Sequence, residues 1–471
     1  MSFSASVSEL VEKSQSGLLG KAPYWERIPL GEIAKILNGY PWKSTFFNGQ
    51  QGVPVVRIRD VTSGATETLY SGPVEEGFWI EDGDLLVGMD GDFNSRIWMA
   101  GRALLNQRVC RIAPDENVYL KAFLAIVLPG YLKLINSETH STTVKHLSSK
   151  TLCEIPLPFP SLPEQRRIVA KVESLSAKSR RASDHLDHIP RLVEKYKQAI
   201  LAAAFRGELT REWRDVHPDA NAQISREDLL ARTKTPKKPR AIAAPTAEQR
   251  RGMWSIPKSW RWRQVGEVGF VTKLAGFEYT KYVQYDPDGD LRVLKAENAG
   301  PNGFRPTAYS RVRSETVEQL ERSRLSGGEL LVVFVGAGTG NVAVVPPSDA
   351  FFLGPNVGMV RPTSEITARF MELFFRYHQG RQLLLATSKA VAQPSLSMGA
   401  IRSTPIAVSS LAEQSEIINR IETAFAWIDR LLYEAASARK LCNRLNEAVL
   451  AKAFRGELVP QDHNDELGSD L

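Results

Sequence analysis

Between Ile168 and Ile200 the side chains Ile168, Val172, Leu175, Ser179, Ala182, Leu186, Ile189, Val193, Tyr196 and Ile200 recur at alternating steps of four and three. That spacing lines one face of a helix with apolar or small groups and calls for a partner helix. A second stripe of the same kind runs through Ile417, Ile421, Ala424, Ile428, Leu431, Ala435, Ala438, Cys442, Leu445 and Val449. Both stripes open on S-x-x-E, Ser161 with Glu164 and Ser410 with Glu413, which predicts a capping box at each start. Gly207 and Gly456 stand where a left-handed cap would end each helix. Two helices of about 40 residues, or roughly 60 Å each, are predicted. Pro190 is expected to bend or interrupt the first of them midway.

The two helices are copies of one another. Leu162–Leu209 aligns with Leu411–Leu458 without a gap, at an offset of 249, with 17 of 48 positions identical. The preceding regions match more loosely. Trp25, Gly31 and Glu32 parallel Trp260, Gly266 and Glu267, and G-D-L-L-V at Gly83–Val87 parallels G-E-L-L-V at Gly328–Val332. Short β-branched runs at Val53–Ile58, Leu330–Val335 and Val342–Val345 predict strands, and Leu120–Ile135 and Ala368–Ala386 predict helices. The expected fold is α/β: two mixed α/β domains joined by two long helices, with an internal pseudo-twofold duplication. The expected divisions are a helical segment at 1–21, a domain at 22–160, a helix at 161–210 and a linker at 211–255. A second domain at 256–409, a second helix at 410–458 and a tail at 459–471 follow. Where the domains match they do so in glycines and apolar positions, while their polar loop residues differ.

Length and composition fit this division. A chain of 471 residues with 43% hydrophobic and 24% charged residues is that of a globular protein with two or three cores. Three cysteines without C-x-x-C spacing, and a first stretch without a basic then apolar pattern, lead us to expect a reduced, cytoplasmic protein. The most apolar stretch, Leu120–Ile135, is interrupted by Lys121, Pro129 and Lys133 and is too broken to span a bilayer. A net charge of +7 suits a polyanionic partner without requiring one. Thr233–Ala247, rich in Pro and Lys, belongs to a linker that cannot pack a core.

Two helices with a domain before each can run parallel or antiparallel, and the linker permits either. The antiparallel coiled coil gives pseudo-twofold symmetry, which matches the symmetry of a duplex backbone and lets two domains address two half-sites. L-P-E-Q and L-A-E-Q opening a long helix, F-R-G-E-L closing it, and this pair alternating with two divergent domains resemble the specificity subunit of type I restriction-modification systems. The resemblance covers nearly the whole chain. It implies two target-recognition domains, each reading one half of a bipartite double-stranded DNA site, with the helices as a ruler. It further implies methylation subunits, two per chain, that use S-adenosylmethionine, and a restriction subunit that acts as motor and nuclease.

No N-P-P-F or D-P-P-Y methyltransferase motif and no Walker A sequence occurs in the chain, so no catalytic role and no cofactor are expected of it. Gly336–Asn341, G-A-G-T-G-N, brings its third glycine one residue early for a dinucleotide loop and lacks a suitable acidic residue about twenty positions on. A hairpin tip able to enter a DNA groove fits it better. His185 and His188, spaced H-x-x-H beside Asp184 and Asp187, fit solvated helix positions better than a metal site.

Base reading favours Arg, Lys, Asn and Gln, and phosphate contact favours Lys, Arg and small polar donors. In the first domain the candidates are Tyr40, Lys43, Ser44, Arg57, Arg59, Asn94, Arg96, Thr143 and Lys145; Arg57 and Arg59 would alternate on a strand and share a side. In the second they are Lys273, Tyr279, Lys281, Lys295, Asn298, Thr339, Asn341, Lys389 and Gln393. Trp42, Phe46 and Phe47 are expected to be core aromatics. The repeated Phe205-Arg206 and Phe454-Arg455 are candidates for docking the other subunits. Two other classes compete with DNA recognition. One is a structural coiled-coil adaptor with two protein- or peptide-binding domains; the other is a self-sufficient modification enzyme, which would need the motifs that are missing.

Overall fold

The two stripes form two long helices, Leu162–Phe205 and Leu411–Phe454, each of 44 residues. The computed structural model describes residues 6–14, 16–48, 51–139, 145–218, 242–348, 350–386 and 395–462. The chain divides into two units, Met1–Asp187 with Ala435–Leu471, and His188–Glu434. Each unit therefore owns the start of one long helix and the end of the other.

Within each unit the two helix segments run antiparallel, because partners on one descend as residues on the other ascend. In the first, Ser179 Oγ donates to Cys442 O at 3.4 Å and Arg439 Nε to Asp187 Oδ1 at 2.9 Å. In the second, Lys197 Nζ donates to Asp429 Oδ1 at 2.5 Å and Arg420 Nη1 to Leu209 O at 2.8 Å. Pro190 lies inside a helix assigned without a break, so of the two outcomes expected, a bend or an interruption, the interruption does not occur. It removes one N–H from a ladder of 44 residues, and the intact turns on either side carry the helix through. Not all of the stripe is covered: Tyr196, Leu431 and Leu445 remain exposed. A pair of helices shields only the seam between them, so a stripe this wide is covered in part.

The ends are capped as the sequence predicts at the glycines. Gly207 has φ 75° and Gly456 φ 69°. Glu208 N–H reaches back to Ala203 O at 2.8 Å and Glu457 N–H to Lys452 O at 2.9 Å, the six-to-one bond of a Schellman motif. At the starts only half of each capping box forms. Ser161 Oγ accepts from Glu164 N–H and Ser410 Oγ from Glu413 N–H, both at 3.3 Å. The two carboxylates are engaged elsewhere: Glu164 Oε2 accepts from the Trp25 indole at 3.0 Å and Glu413 Oε2 from the Trp260 indole at 2.8 Å. The next residue repeats the device. Gln165 accepts from Leu120 N–H and donates to Val118 O and Pro160 O, while Gln414 accepts from Thr367 N–H and donates to Glu365 O and Ser409 O. The E-Q pair is thus a buried clamp that fixes each domain to the helix following it.

The first unit contains β1 (Glu26–Pro29), β2 (Ala34–Asn38), β3 (Phe47–Asn48), β4 (Val53–Val56), β5 (Leu69–Tyr70), β6 (Trp79–Ile80), β7 (Leu85–Gly88), β8 (Ser95–Ile97), β9 (Ala103–Leu105), β10 (Val109–Pro114) and β11 (Pro156–Phe159). The second contains β12 (Arg261–Gln264), β13 (Gly269–Lys273), β14 (Leu291–Leu294), β15 (Ala299–Gly300), β16 (Gly303–Phe304), β17 (Ser310–Val312), β18 (Arg324–Leu325), β19 (Leu330–Val333), β20 (Val342–Val344), β21 (Phe351–Leu353), β22 (Val357–Pro362) and β23 (Pro405–Val408). The sheets correspond. Order β2-β10-β7-β8 in the first unit is matched by β13-β22-β19-β20 in the second, and the pair β1-β11 by β12-β23. A further sheet in each holds one parallel pair, β4 with β9 and β14 with β21.

Each core joins the domain to its helix segments. Trp25, Leu30, Val87, Phe123 and Leu128 pack with Ile168, Val172, Val449 and Phe454 in one unit; Trp260, Leu330, Phe370 and Phe374 pack with Leu201, Phe205, Ile417 and Ile421 in the other. The expected helix at Leu120–Ile135 spans Lys121–Glu138, and that at Ala368–Ala386 is divided at Tyr377 into Ala368–Arg376 and His378–Leu385. No helix among the described residues is long and apolar enough to cross a membrane.

Candidate nucleic-acid interface

In an antiparallel sheet, strands that leave and strands that enter alternate at one end, so loops distant in sequence meet there. In the first unit β2 leaves at Asn38 opposite Cys110, near where β10 enters; β7 leaves at Gly88 opposite Val109, and β8 enters at Ser95 opposite Val87. The loops at this end are bonded together. Gln107 N–H donates to Tyr40 O at 3.0 Å, Met89 N–H to Arg108 O at 2.9 Å and Gly91 N–H to Lys145 O at 2.9 Å. Tyr40, Asn94 and Lys145, chosen from three separate stretches, are brought to this end.

Their side chains differ in freedom. The Tyr40 ring packs 4.6 Å from Trp42 and 5.1 Å from Phe78, and Lys145 Nζ donates to Asn136 O at 2.6 Å. Asn94 Nδ2 donates to Thr62 Oγ1 at 3.2 Å. Arg96 donates to Val61 O at 2.8 Å and Thr62 O at 2.6 Å, closing the last carbonyls of the helix Ile58–Ser63. Lys43 and Ser44 are exposed on a short helical turn that leads into β3.

Arg57 and Arg59 do not alternate on a strand. β4 ends at Val56, and Arg57 caps the helix that contains Arg59. The reason is local: Asp60 Oδ2 accepts Arg57 N–H at 2.8 Å, closing a helical turn where the apolar run suggested extension. Both arginines are exposed, Arg57 over the Phe47 ring at 6.0 Å and Arg59 bonded to Thr68 at 3.0 Å. Trp42 is buried, with its indole donating to Leu105 O at 2.9 Å, and half-buried Phe47 packs against the same cluster, whereas Phe46 is exposed, so the expected aromatic core holds for Trp42 and Phe47 and not for Phe46.

The second unit builds the same end from β13, β22, β19 and β20. Lys273, last in β13, sits 4.7 Å from the Phe334 ring. Gly336–Asn341 joins β19 to β20 as a hairpin connection, with Gly336 at φ 105° and Gly340 at φ 83°. A strand follows it where a dinucleotide loop would feed a helix. Thr339 is buried and its hydroxyl donates to Gly336 O at 2.6 Å. Asn341 donates to Ala299 O at 3.2 Å. Arg381 holds the hairpin, donating to Thr339 O, Gly340 O and Asn341 Oδ1, each at 3.0 Å. Burial lowers the pKa of this guanidinium below the ordinary arginine value.

Lys295 corresponds in place to Arg57, following a parallel strand and capping a helical turn. Its Nζ donates to Ser310 Oγ at 2.7 Å and lies 4.8 Å from the Tyr285 ring. Asn298, like Asp60, closes that turn: it is buried, accepts Lys295 N–H at 2.8 Å and donates to Arg305 O and Thr307 Oγ1. The Tyr279 and Tyr285 hydroxyls are hydrogen-bonded at 3.1 Å, and burial raises the Tyr285 pKa above the ordinary phenol value. Lys281 is exposed, its Nζ 4.9 Å from the Tyr282 ring. Thr143, Lys389 and Gln393 lie outside the described residues, as does the basic run of the linker.

At the helix ends Phe205 and Phe454 are buried; Phe205 meets Phe370 and Phe374 edge to face and stacks on Tyr377. Arg206 is exposed and reaches Gln379 at 3.5 Å, and Arg455 is exposed and bidentate on Glu457 at 2.8 and 2.9 Å. Among the described residues no group of three His, Cys, Asp or Glu is placed to hold a metal ion.

Sequence reasoning missed Asp90, Arg108, His146 and Arg381. Arg381 sits in an amphipathic helix, where an arginine ordinarily signals a solvated face. The other three come together only through the sheet end, with Asp90 accepting from His146 Nδ1 at 2.5 Å and paired to Arg108 at 3.2 Å.

The family described as "Type I restriction modification DNA specificity domain" matches residues 24–185. The EcoBI specificity subunit of Escherichia coli, a type I restriction enzyme component, is 34% identical over 463 residues, covering 98% of this chain and 92% of that protein. The EcoKI specificity subunit of E. coli strain K12 is 22% identical over 94% of this chain and 91% of its own length. Among solved structures, a chain from work on complex assembly and conformational transition of the type I R-M system superposes with a TM-score of 0.65. It is 19% identical and covers 93% of this chain and 99% of its own. The HsdS subunit of Thermoanaerobacter tengcongensis superposes at 0.54, with 18% identity, 93% of this chain and 98% of its own.

Proposed function

This chain belongs to the type I restriction enzyme specificity subunits, and from that premise we propose that its two domains each read one half of a bipartite, asymmetric site in double-stranded DNA. The observation that carries this is the pairing of like frames with unlike side chains. Both domains bring loops to the same end of a four-stranded sheet, and there the first offers Tyr40, Asn94 and Lys145 where the second offers Lys273 and the Gly336–Asn341 hairpin. Unlike polar groups on like frames select unlike base sequences.

The long helices set the distance between the half-sites. The chain itself performs no chemistry: methylation subunits, two per chain, dock on it and carry the S-adenosylmethionine, and a restriction subunit supplies motor and nuclease. Exposed Arg206 and Arg455 at the two helix ends are docking contacts, while Phe205 and Phe454 beneath them hold the ends in shape. Co-expression with the cognate methylation subunits, followed by mapping of methylated adenines, tests this. A two-part motif with a fixed gap is the expected result. Scattered marks, or none, would overturn it in favour of an adaptor.

A further inference from the structure

Three backbone positions at the sheet end are held by the same bonds in both units yet carry unlike side chains. In the first unit Met89 N–H donates to Arg108 O at 2.9 Å, Leu147 N–H donates to Met89 O at 2.6 Å, and Asp90 forms a β-bridge with His146. In the second, Phe334 N–H donates to Asn356 O at 3.2 Å, Leu396 N–H donates to Phe334 O at 2.8 Å, and Val335 forms a β-bridge with Ser395. Asp90, Arg108 and His146 therefore stand where Val335, Asn356 and Ser395 stand. The frame closes with either set, so the polar triad of the first unit is not needed to close it.

The triad has the layering of a presented group. Asp90 is the inner member, with its side chain 15% exposed, while those of Arg108 and His146 are each 50% exposed. Asp90 Oδ1 takes the His146 ring and Oδ2 takes Arg108 Nη1. A carboxylate only accepts, so Nδ1 of the ring carries the hydrogen and the orientation of the imidazole is fixed. Nε2 is left on the opposite edge of the ring. Neutral, it accepts from the exocyclic amine of adenine or cytosine; protonated, it donates to guanine O6 or N7. The adjacent Lys145 ammonium is held by Asn136 O and Oδ1, at 2.6 and 3.2 Å.

We propose that His146 reads a base edge in the half-site bound by the first domain, with Asp90 as its positioning residue and Arg108 bracing Asp90. This rests on the bipartite-site function above and adds a residue to it. The second domain, with Ser395 at that position, reads its half-site without such a group.

The test uses the full chain with its methylation subunits, comparing the methylation motifs of wild type, His146→Ala, His146→Gln and Asp90→Asn. His146→Ala is expected to relax the motif at one base pair, or two neighbours, of a single half-site, lowering discrimination there about tenfold. The other half-site and the gap stay as they are, and the melting temperature of the complex is unchanged. Asp90→Asn relaxes the same base pair less. His146→Gln, which keeps a polar tip, changes which base is preferred there. An unaltered motif overturns the proposal, even where affinity falls uniformly as it would for a phosphate contact. So does equal relaxation of both half-sites, or a lowered melting temperature in both His146 variants with the motif intact. A wild-type complex without a two-part motif removes the underlying function instead, which separates that failure from this one.

Discussion

The indole nitrogen of Trp260 donates to Oε2 of Glu413 at 2.8 Å, and that carboxylate side chain has no solvent exposure. Its other oxygen accepts from Thr210 at 2.8 Å and Arg214 at 3.0 Å, both just beyond the end of the opposing helix. Trp260→Phe keeps the packing and leaves one lone pair unserved. It should lower the stability of the second unit by about 1–3 kcal/mol. Glu413→Ala, which strands Arg214, should cost more, about 3–5 kcal/mol. Denaturant unfolding followed by probes in each unit checks both, and an equal loss in the first unit would refute the local role.

Gly207 is fixed at φ 75°, and a methyl group on it would stand 2.2 Å from Pro257 Cγ. Gly207→Ala should destabilise the helix end by at least the left-handed cost, about 1–2 kcal/mol. Gly276 has open space at the corresponding place and no positive φ, so Gly276→Ala is the control and should be near neutral by thermal melting.

Burial pushes the Cys110 thiol up to about 12, while Cys153 and Cys442 are only partly buried. In the native protein at pH 8, an alkylating reagent should label Cys153 and Cys442 and spare Cys110 until the first unit unfolds. The folded pKa is raised, so the protonated thiol contributes fully below the ordinary thiol value of about 8.5. Stability should fall as pH rises from there toward about 12. Cys110→Ala should abolish that part of the alkaline slope, whatever it does to stability at neutral pH.

Seven residues inserted between Asp187 and His188, and seven at the facing level between Glu434 and Ala435, keep the helix seam in phase. They add about 10 Å, or roughly three base pairs, to the ruler. Methylation mapping should show a gap longer by that amount and both half-sites unchanged. Altered half-sites would mean that the helices take part in base reading.

Much of this architecture was legible because helix pairing and capping leave periodic marks: the stripes, the S-x-x-E starts and the glycine ends fall where the structure puts them. Trp25 and Trp260 stood out as a repeated pair, but spacing alone could not say that each would claim a glutamate 139 or 153 residues away. Half of each predicted capping box is therefore replaced, since tertiary contact takes the carboxylate that local bonding would use. The interface was less legible for the same reason. Asn298 and Thr339 have the composition of contact residues, yet their polar atoms close turns. Arg57 and Arg59 looked like strand neighbours until Asp60 drew the chain into a helical turn. Nothing in the sequence marks His146, because its partners, Asp90 and Arg108, are separated from it along the chain and joined only by the sheet end.

The division of the chain also dictates an order of completion. Residues 188–434 form the second unit without interruption, whereas the first unit joins residues 1–187 to residues 435–471. During synthesis the domain that leaves the ribosome first is the last to be finished. Ile168 and Val172 wait for Val449 and Phe454, and the Glu164 carboxylate waits for Gln461, which reaches it at 2.9 Å. A ribosome that stops between Ala435 and Phe454 releases a chain whose second unit is whole and whose first has an open apolar flank, a state that quality-control proteases can distinguish from the finished molecule.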